Sequence, residues 1–425
     1  MPLTLANFDP VLRDFWEPGI KEQLNNDIPL FRLLETQTRP FDGGRRVIYP
    51  IHSTRNSGVG GRAESAVLPV AGNQGHELAG VSATYQYGTI QLTGQTIEAG
   101  KHAWAEALEM EMSGLIKDCK NDWGRQSWGV GDGRLAQIGV SSTAASGSIA
   151  VLVQNRFQRA GQPGARYISV GQVIDVGSVG AAPLGTSQTV SAVAISSNPA
   201  TLQDTVTLGN TAVAYSSSQM WLYNNLAGGS GGAGNEMQGV QGIVDIFTEA
   251  NIWGSNAFWS ANLFGIARSA VTAWNANILA NSGVTRVVDS YLMEQAFDQI
   301  HQDTGEDANL MLGHHSVVRA VFDSLVADRR YGSTVFDAGH SKMSYSGVPF
   351  EKDRQGPYNS LLVAKKEALA KFTLKEAGWI QRDGSILRTT DRTDRYEGWF
   401  GYYGNLGVVG NMKALLMIRD IRTYL

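Results

Sequence analysis

The chain is short of the residues on which much protein chemistry depends. A single cysteine, Cys119, stands among 425 residues, so no intrachain disulfide can form and the fold does not rely on an oxidising compartment. No stretch reaches about 18 uninterrupted apolar residues, the length a membrane-crossing helix needs. The start, MPLTLANFDPVLRDFW, has no basic segment followed by an apolar run, which excludes a signal-peptide reading and favours synthesis in the cytoplasm. Charge of one sign is also lacking. Lys and Arg number 35 against 39 Asp and Glu, a net charge of -4, so the chain is not built mainly to grip nucleic acid, although a local basic face stays open. Proline is sparse at 12 residues while glycine reaches 49 without the collagen period, which points to many tight turns and special backbone.

What is present divides along the chain. Residues 1–40 read as an apolar arm, with a short helix over 19–26 and with Phe15, Trp16, Leu30, Phe31 and Leu34 in need of a surface. Residues 45–56 read as a strand and residues 81–93 as its partner, through Val81, Ala83, Tyr85, Tyr87, Ile90 and Leu92. The connection between them far exceeds the 2–5 residues of an ordinary hairpin turn. Over 100–128, Trp104, Leu108, Met112, Leu115, Cys119 and Trp123 recur on one helical face, giving a helix of roughly 40 Å at about 1.5 Å per residue. It should end at Gly129–Gly133.

From about Leu135 to Leu226 the composition changes to Ser, Thr, Val, Ala and Gly in short strand patterns, the signature of a small all-β sandwich or barrel. A Gly/Ser linker over 227–236 follows, so this segment reads as a module inserted into another domain. Beyond it, residues 287–305 predict an amphipathic helix with Tyr291, Leu292, Ala296, Phe297 and Ile300 on one face. Residues 308–325 predict strand, turn and helix, AKKEALAKF a helix, and residues 397–421 two glycine-separated strands.

No candidate for chemistry outweighs its structural alternative. The loop GVGGR lacks the lysine and following Ser or Thr of a phosphate loop, and strands flank it on both sides where a phosphate cradle needs a helix after it. WGVGDG closes a helix instead of opening one. His314 and His315 are adjacent, with no Cys/His spacing of a metal site. His314, Ser316 and Asp323 could be imagined as a triad, but the chain has no G-x-S-x-G elbow. Cys119 falls on the apolar helix face and reads as a buried structural thiol. The run DGSILRTTDRTDRYEG, with Asp383, Asp391, Asp394, Arg392 and Arg395, reads as a solvated or intersubunit ion-pair strip. No catalytic residue, cofactor or metal site is expected.

The order of these elements resembles the major capsid protein of tailed bacteriophages, the Hong Kong 97-type fold. RRVIYPIHSTRNSGVGGRAE, LPVAGNQGHE and VSATYQYGTIQLTGQTIEA resemble its extended hairpin, the E-loop. ALEMEMSGLIKDCKNDWGRQSWGVGDGRLA resembles its spine helix, and DRYEGWFGYYGNLGVVGNMKALLMI its closing strands. The resemblance covers the chain except residues 137–235 and rests on order more than on any one motif. It implies an α+β fold: an N-terminal arm (1–40), the E-loop (41–93), spine helix and peripheral (P) domain (94–136), an inserted β domain (137–235), the P domain continued (236–299), an axial (A) domain (300–375) and returning P-domain strands (376–425).

The resemblance further implies a virion shell subunit, assembled in the host cytoplasm as hexamers and pentamers into an icosahedral head around double-stranded DNA, which it encloses without reading sequence. Partners would be copies of itself, a portal, a separate scaffolding protein and a cementing protein, with no membrane. Some family members weld subunits through an E-loop lysine. No lysine lies between Glu22 and Gly100, so that crosslink is not available here. Arg45, Arg46, Arg55, Arg62 and Glu64 are then expected as noncovalent intersubunit contacts. Two other readings stay open: another phage structural component, of the tail or decoration type, and an enzyme carrying a β accessory module.

Overall fold

The computed structural model describes residues 29–37, 46–95, 104–138, 148–155, 164–178, 185–195, 204–209, 220–224, 236–244, 262–328, 344–381, 385–389 and 393–423. The helix expected over 19–26, together with Phe15 and Trp16, lies outside these residues. What is described of the arm is a short helix, Pro29–Leu33, and a strand, Glu35–Gln37. Leu30, Phe31 and Leu34 do find a surface: all three are buried in the body of the protein.

The platform of the molecule is a sheet running Glu35–Gln37, Leu369–Trp379, Arg395–Val408 and Arg388–Thr389, with Thr84–Thr93 also paired to Arg395–Val408. The 14-residue strand Arg395–Val408 is its spine, antiparallel to Thr84–Thr93 on one side and to Leu369–Trp379 on the other. Against one face lies the 23-residue helix Trp104–Gln126. Its Leu108, Met112, Ile116, Cys119 and Trp123 form one core with Ile90, Phe400, Tyr402 and Trp379. The Trp123 ring stacks on Phe400 at 5.7 Å between centroids and lies 5.4 Å from Tyr402. Gly88 makes this approach possible, since a Cβ there would fall 2.7 Å from the Cys119 sulfur. Gly407 does the same for the Phe372 ring, 2.6 Å from where its Cβ would stand.

The chain leaves the helix through a tight turn and enters a closed six-stranded barrel, ordered Met220–Asn224, Arg134–Ile138, Ser148–Asn155, Asp204–Gly209, Gly185–Ala194 and Val173–Ser178. The first strand, Arg134–Ile138, pairs antiparallel with the last, Met220–Asn224, so entry and exit sit side by side, as an insertion requires. Leu135, Ile138, Ile174, Val176, Val190, Val206, Leu208 and Leu222 fill its interior. The barrel is tied to the body at two places. Arg125, at the end of the long helix, is fully buried, donates from Nη1 to the Arg134 carbonyl of the first barrel strand at 3.3 Å, and forks onto Asp122 and Glu236, with Nη1 3.0 Å from the Glu236 Oε2. Burial pushes the Glu236 carboxyl above its ordinary value, and the Arg125 guanidinium pulls against that shift. On the other side, Tyr167 donates to Gln355 Oε1 at 2.6 Å and Arg166 to the Arg354 carbonyl at 2.9 Å.

A second sheet, ordered Asn277–Leu279, Leu415–Ile418, Leu361–Ala364, Leu310–Gly313, Val348–Lys352 and Ser344–Tyr345, carries the helices Ser290–Thr304 and His315–Asp328. Asp289 caps the first of these by accepting from the Leu292 N–H, and Gly305 ends it at φ 72°. The chain alternates between the two sheets: Arg395–Val408 belongs to the platform and Leu415–Ile418 to the second sheet.

Three expectations are corrected. The partner of the strand Arg46–Thr54 is Gly75–Ser82, with Val47 opposite Val81 and His52 opposite His76. Residues 84–93 turn instead onto the platform, where Thr84, Gln86 and Ile90 face inward and Tyr85 and Tyr87 face out. The polar pair is accepted inside because both are bonded: Thr84 donates to the Gly404 carbonyl at 2.7 Å, and Gln86 accepts from Gln126 at 3.0 Å. The stretch AKKEALAKF is not a helix but a single 3-10 turn, Lys366–Ala368, running into the strand Leu369–Trp379. Its helix propensity loses to a slot between two strands, and the buried Lys371 donates to the Phe31 carbonyl at 2.6 Å. Finally, Tyr291 is exposed, and the buried stripe of its helix is Leu292, Met293, Ala296 and Ile300, one position round from the expected face.

Because Phe400 joins the helix to the platform, Phe400→Ala should lower the unfolding free energy of the unassembled chain by about 3–5 kcal/mol in a denaturant titration. A change below about 1 kcal/mol would mean that this stack does not hold the helix.

Candidate intersubunit interface

The hairpin Arg46–Thr54/Gly75–Ser82 has two unlike halves. At its base, Val47, Tyr49, Ala79 and Val81 are buried in the main core with Phe372, Leu406 and Val408. Tyr49 donates to the Val408 carbonyl at 2.5 Å and stacks on Phe372, while the Gly80 N–H donates to the Phe264 carbonyl at 2.8 Å. Full burial ends at Tyr49, Ile51 is half-buried against the core, and beyond it the strand grows progressively more exposed.

Residues 55–74 continue the projection as a doubled-back loop. Asn56–Gly58 runs alongside Val70–Gly72, close enough that a Cβ on Gly58 would meet the Gly72 nitrogen and the Val70 oxygen at 3.0 Å. Asn56 accepts from the Gly58 N–H at 2.7 Å, and the Ala66 N–H donates to the Ala63 carbonyl in a turn that sets Ser65 at φ 65°. The loop is thus locally ordered by hydrogen bonds, with no apolar core of its own. Val67, Leu68 and Val70 are 87%, 79% and 86% exposed, and Val59, Leu78 and Ile48 also face solvent. Scattered single apolar residues on a surface are ordinary, but a run of them on a projecting loop marks a surface made to be covered.

Of the charged residues expected here, Arg46, Arg55, Arg62 and Glu64 are all exposed on this projection, and Arg45 lies outside the described residues. Arg46 sits at the base, its side chain laid over Gly80. Arg55, Arg62 and Glu64 belong to the loop. The hairpin therefore brings together three arginines and an apolar tip along one excursion. The apolar members, Val59, Val67, Leu68 and Val70, were not singled out from the sequence. Their absence from any periodic element was the available signal.

A second uncovered patch lies on the outer face of the platform, opposite the long helix. Tyr85 and Tyr87 flank Tyr403 at 5.2 and 5.6 Å between ring centroids, and the Lys375 ammonium lies 5.5 Å from the Tyr403 ring centre. Tyr85 and Tyr87, read from the sequence as part of the hairpin's second strand, stand on the exposed side of Thr84–Thr93.

The groups flagged for chemistry are held in inert settings. Burial pushes the Cys119 thiol up to about 12, with Asp122 and Asp118 adding to the effect, so the thiolate is not populated near neutral pH. Burial lowers the His314 imidazole to about 3 with help from His315, Arg166 and Arg319, leaving it neutral. Its Nδ1 lies 2.8 Å from Ser316 Oγ, but that hydroxyl is hydrogen-bonded to the Tyr358 carbonyl at 2.9 Å, and Asp323 is exposed further along the helix. No triad is assembled. Among the described residues no three of His, Cys, Asp or Glu gather as a metal nest. Asp394 and Arg395 are exposed, while Asp383, Asp391 and Arg392 fall outside the described residues.

No sequence-family model matches the chain, and no curated protein matches it. Solved structures do. The chain is similar to a subunit of the cyanophage A-1(L) capsid asymmetric unit, with 11% identity, 93% of each chain covered and a TM-score of 0.51. It also aligns with the capsid of a native GTA particle (8% identity, 94% of this chain and 91% of that one, TM-score 0.47) and with Gordonia phage Cozz (10%, 94% and 87%, 0.43). The cyanophage likeness establishes the fold: this chain has the Hong Kong 97-type capsid architecture expected from the order of its elements.

If the loop makes no intrachain contacts that matter, Leu68→Asp and Val70→Asp should each leave the unfolding free energy of the unassembled chain within about 0.5 kcal/mol of the parent. A loss of 2 kcal/mol or more, on the order expected for a packed side chain, would show the tip buried against its own body.

Proposed function

We propose that this chain is a major capsid protein: a structural subunit that self-assembles as hexamers and pentamers into an icosahedral phage head around double-stranded DNA. The observation that carries the reading is the hairpin. A projection with a well-packed base and an exposed, apolar, arginine-bearing tip costs solubility unless a neighbour covers it. Repeated contacts between unlike surfaces of identical subunits close into shells through symmetry, and long excursions over neighbours suit that construction.

On this reading the hairpin Arg46–Thr54/Gly75–Ser82 with its loop serves as the E-loop, and Arg45, Arg46, Arg55, Arg62 and Glu64 contact an adjacent subunit. The platform and its long helix correspond to the P domain, the second sheet with its two helices to the A domain, and the barrel to an insertion. The returning segment 376–425 then serves both main domains, because Arg395–Val408 lies in the platform and Leu415–Ile418 in the second sheet. Copies of the chain, a portal, a separate scaffolding protein and a cementing protein are the proposed partners, and the virion is the proposed location. The mild net charge of -4 fits a wall that encloses DNA without binding it tightly. The role is structural, with no reaction assigned to it. Cys119 and His314 are inert where they stand, which agrees with this.

Electron microscopy of the purified chain tests the proposal. Closed shells or hexameric rings are expected. Deleting residues 58–75 should leave a folded subunit, judged by circular dichroism, that no longer forms them. A persistent monomer under all assembly conditions, tubes instead of shells, or normal shells from the deletion variant would each contradict the account.

A further inference from the structure

The outer face of the hairpin carries a feature that shell contacts do not require. His52 and His76 stand directly opposite each other across the two antiparallel strands, and both are exposed. Their imidazole centroids are 5.6 Å apart, with the ring planes at 70°. We propose that this pair is a binding site for a divalent transition metal of the copper, nickel and zinc class, bridging the two strands of the hairpin.

The geometry is close to what two imidazole ligands need. Ring nitrogens lie about 1.1 Å from their centroid, so a tetrahedral ion on the lone-pair axis of one nitrogen of each ring sets the centroids about 5.2 Å apart, against 5.6 Å here. Two nitrogens each about 2.0–2.1 Å from one tetrahedral metal ion are separated by about 3.3 Å. Cross-strand neighbours also have Cβ atoms only about 4.5–5.5 Å apart, so a small rotation of either ring brings both nitrogens to the same ion. The strands fix the two side chains before metal arrives, and the second ligand then binds intramolecularly, at high effective concentration. Two protein ligands leave the remaining positions to water. Imidazole selects copper, nickel and zinc over magnesium and calcium, which prefer oxygen.

The place of the pair gives the bound ion a structural effect. The regular register of the hairpin shifts between His52 and Thr54, and Thr54 opposite Gly75 is the last rung before the loop. An ion held by His52 and His76 would clamp the ladder at the point where the base ends and the projection begins. The neighbours on the same face, Pro50 and Leu78, offer no competing ligand.

Calorimetric titration of the full-length chain with copper, nickel and zinc chlorides tests the site. One ion per chain is expected, copper tightest, with no competition from excess magnesium. His52→Asn and His76→Gln should each weaken that binding by about tenfold or more, since either leaves a single ligand. Both side chains are exposed, so neither variant should alter the circular dichroism spectrum. As a second readout, zinc should slow amide exchange in residues 48–54 and 75–80 of the parent but not of His52→Asn. Binding that survives both substitutions, no binding below millimolar metal, or exchange in the hairpin unchanged by zinc would overturn the proposal.

Discussion

Everything in this fold hangs on one packing event, the burial of the long helix Trp104–Gln126 on the sheet whose central strand, Arg395–Val408, comes from the far end of the chain. Trp123 on Phe400 and Tyr402 is where the two meet. Each large apolar side chain buried there contributes about 1.5–3 kcal/mol, and the contact is among the most nonlocal in the molecule. Thr84–Thr93 borders the same strand, so the hairpin grows from an edge that the helix has already fixed. The barrel begins where the helix ends. Remove the helix from the sheet and neither excursion has a fixed origin.

The same arrangement explains how so many extended parts coexist with a stable body. The barrel closes on itself, so it presents no open sheet edge, and its first and last strands are neighbours. It can therefore sit between two residues of the body without disturbing them. What it needs is an orientation, and the buried Arg125–Glu236 pair with the Tyr167–Gln355 and Arg166–Arg354 bonds provides one. The pair's worth is in direction more than in energy, since desolvation consumes much of the attraction between buried charges. The hairpin has the opposite design: its base is oriented by Tyr49 and Val47 in the core, and the apolar residues of its tip stand exposed.

Much of this was legible in the sequence, for identifiable reasons. The long helix was readable because its apolar residues repeat at helical spacing, and the barrel because charge drops out where strand patterns begin. The overall architecture was readable from the order of parts. What failed was decided by distant partners. AKKEALAKF has the composition of a helix, but Lys371 and Phe372 lie between strands near residues 35–37 and 404–407, a context no local window contains. The hairpin's partner strand was misplaced because the alternating pattern runs on past Ser82, whereas residues 84–93 pair with a strand more than 300 residues away and turn Thr84 and Gln86 inward, bonded to Gly404 and Gln126. The apolar tip of the loop escaped notice because its residues follow no period. An interface with another molecule leaves none.

The central claim is that the hairpin is incomplete within one subunit and is completed by another. Hydrogen exchange read by mass spectrometry, on assembled particles and on the dissociated chain, measures this directly. The account predicts that residues 55–74 exchange rapidly in the free chain and become protected on assembly, while the platform strands Thr84–Thr93 and Arg395–Val408 are protected in both. Equal exchange of 55–74 in the two states, or protection already present in the free chain, would contradict it.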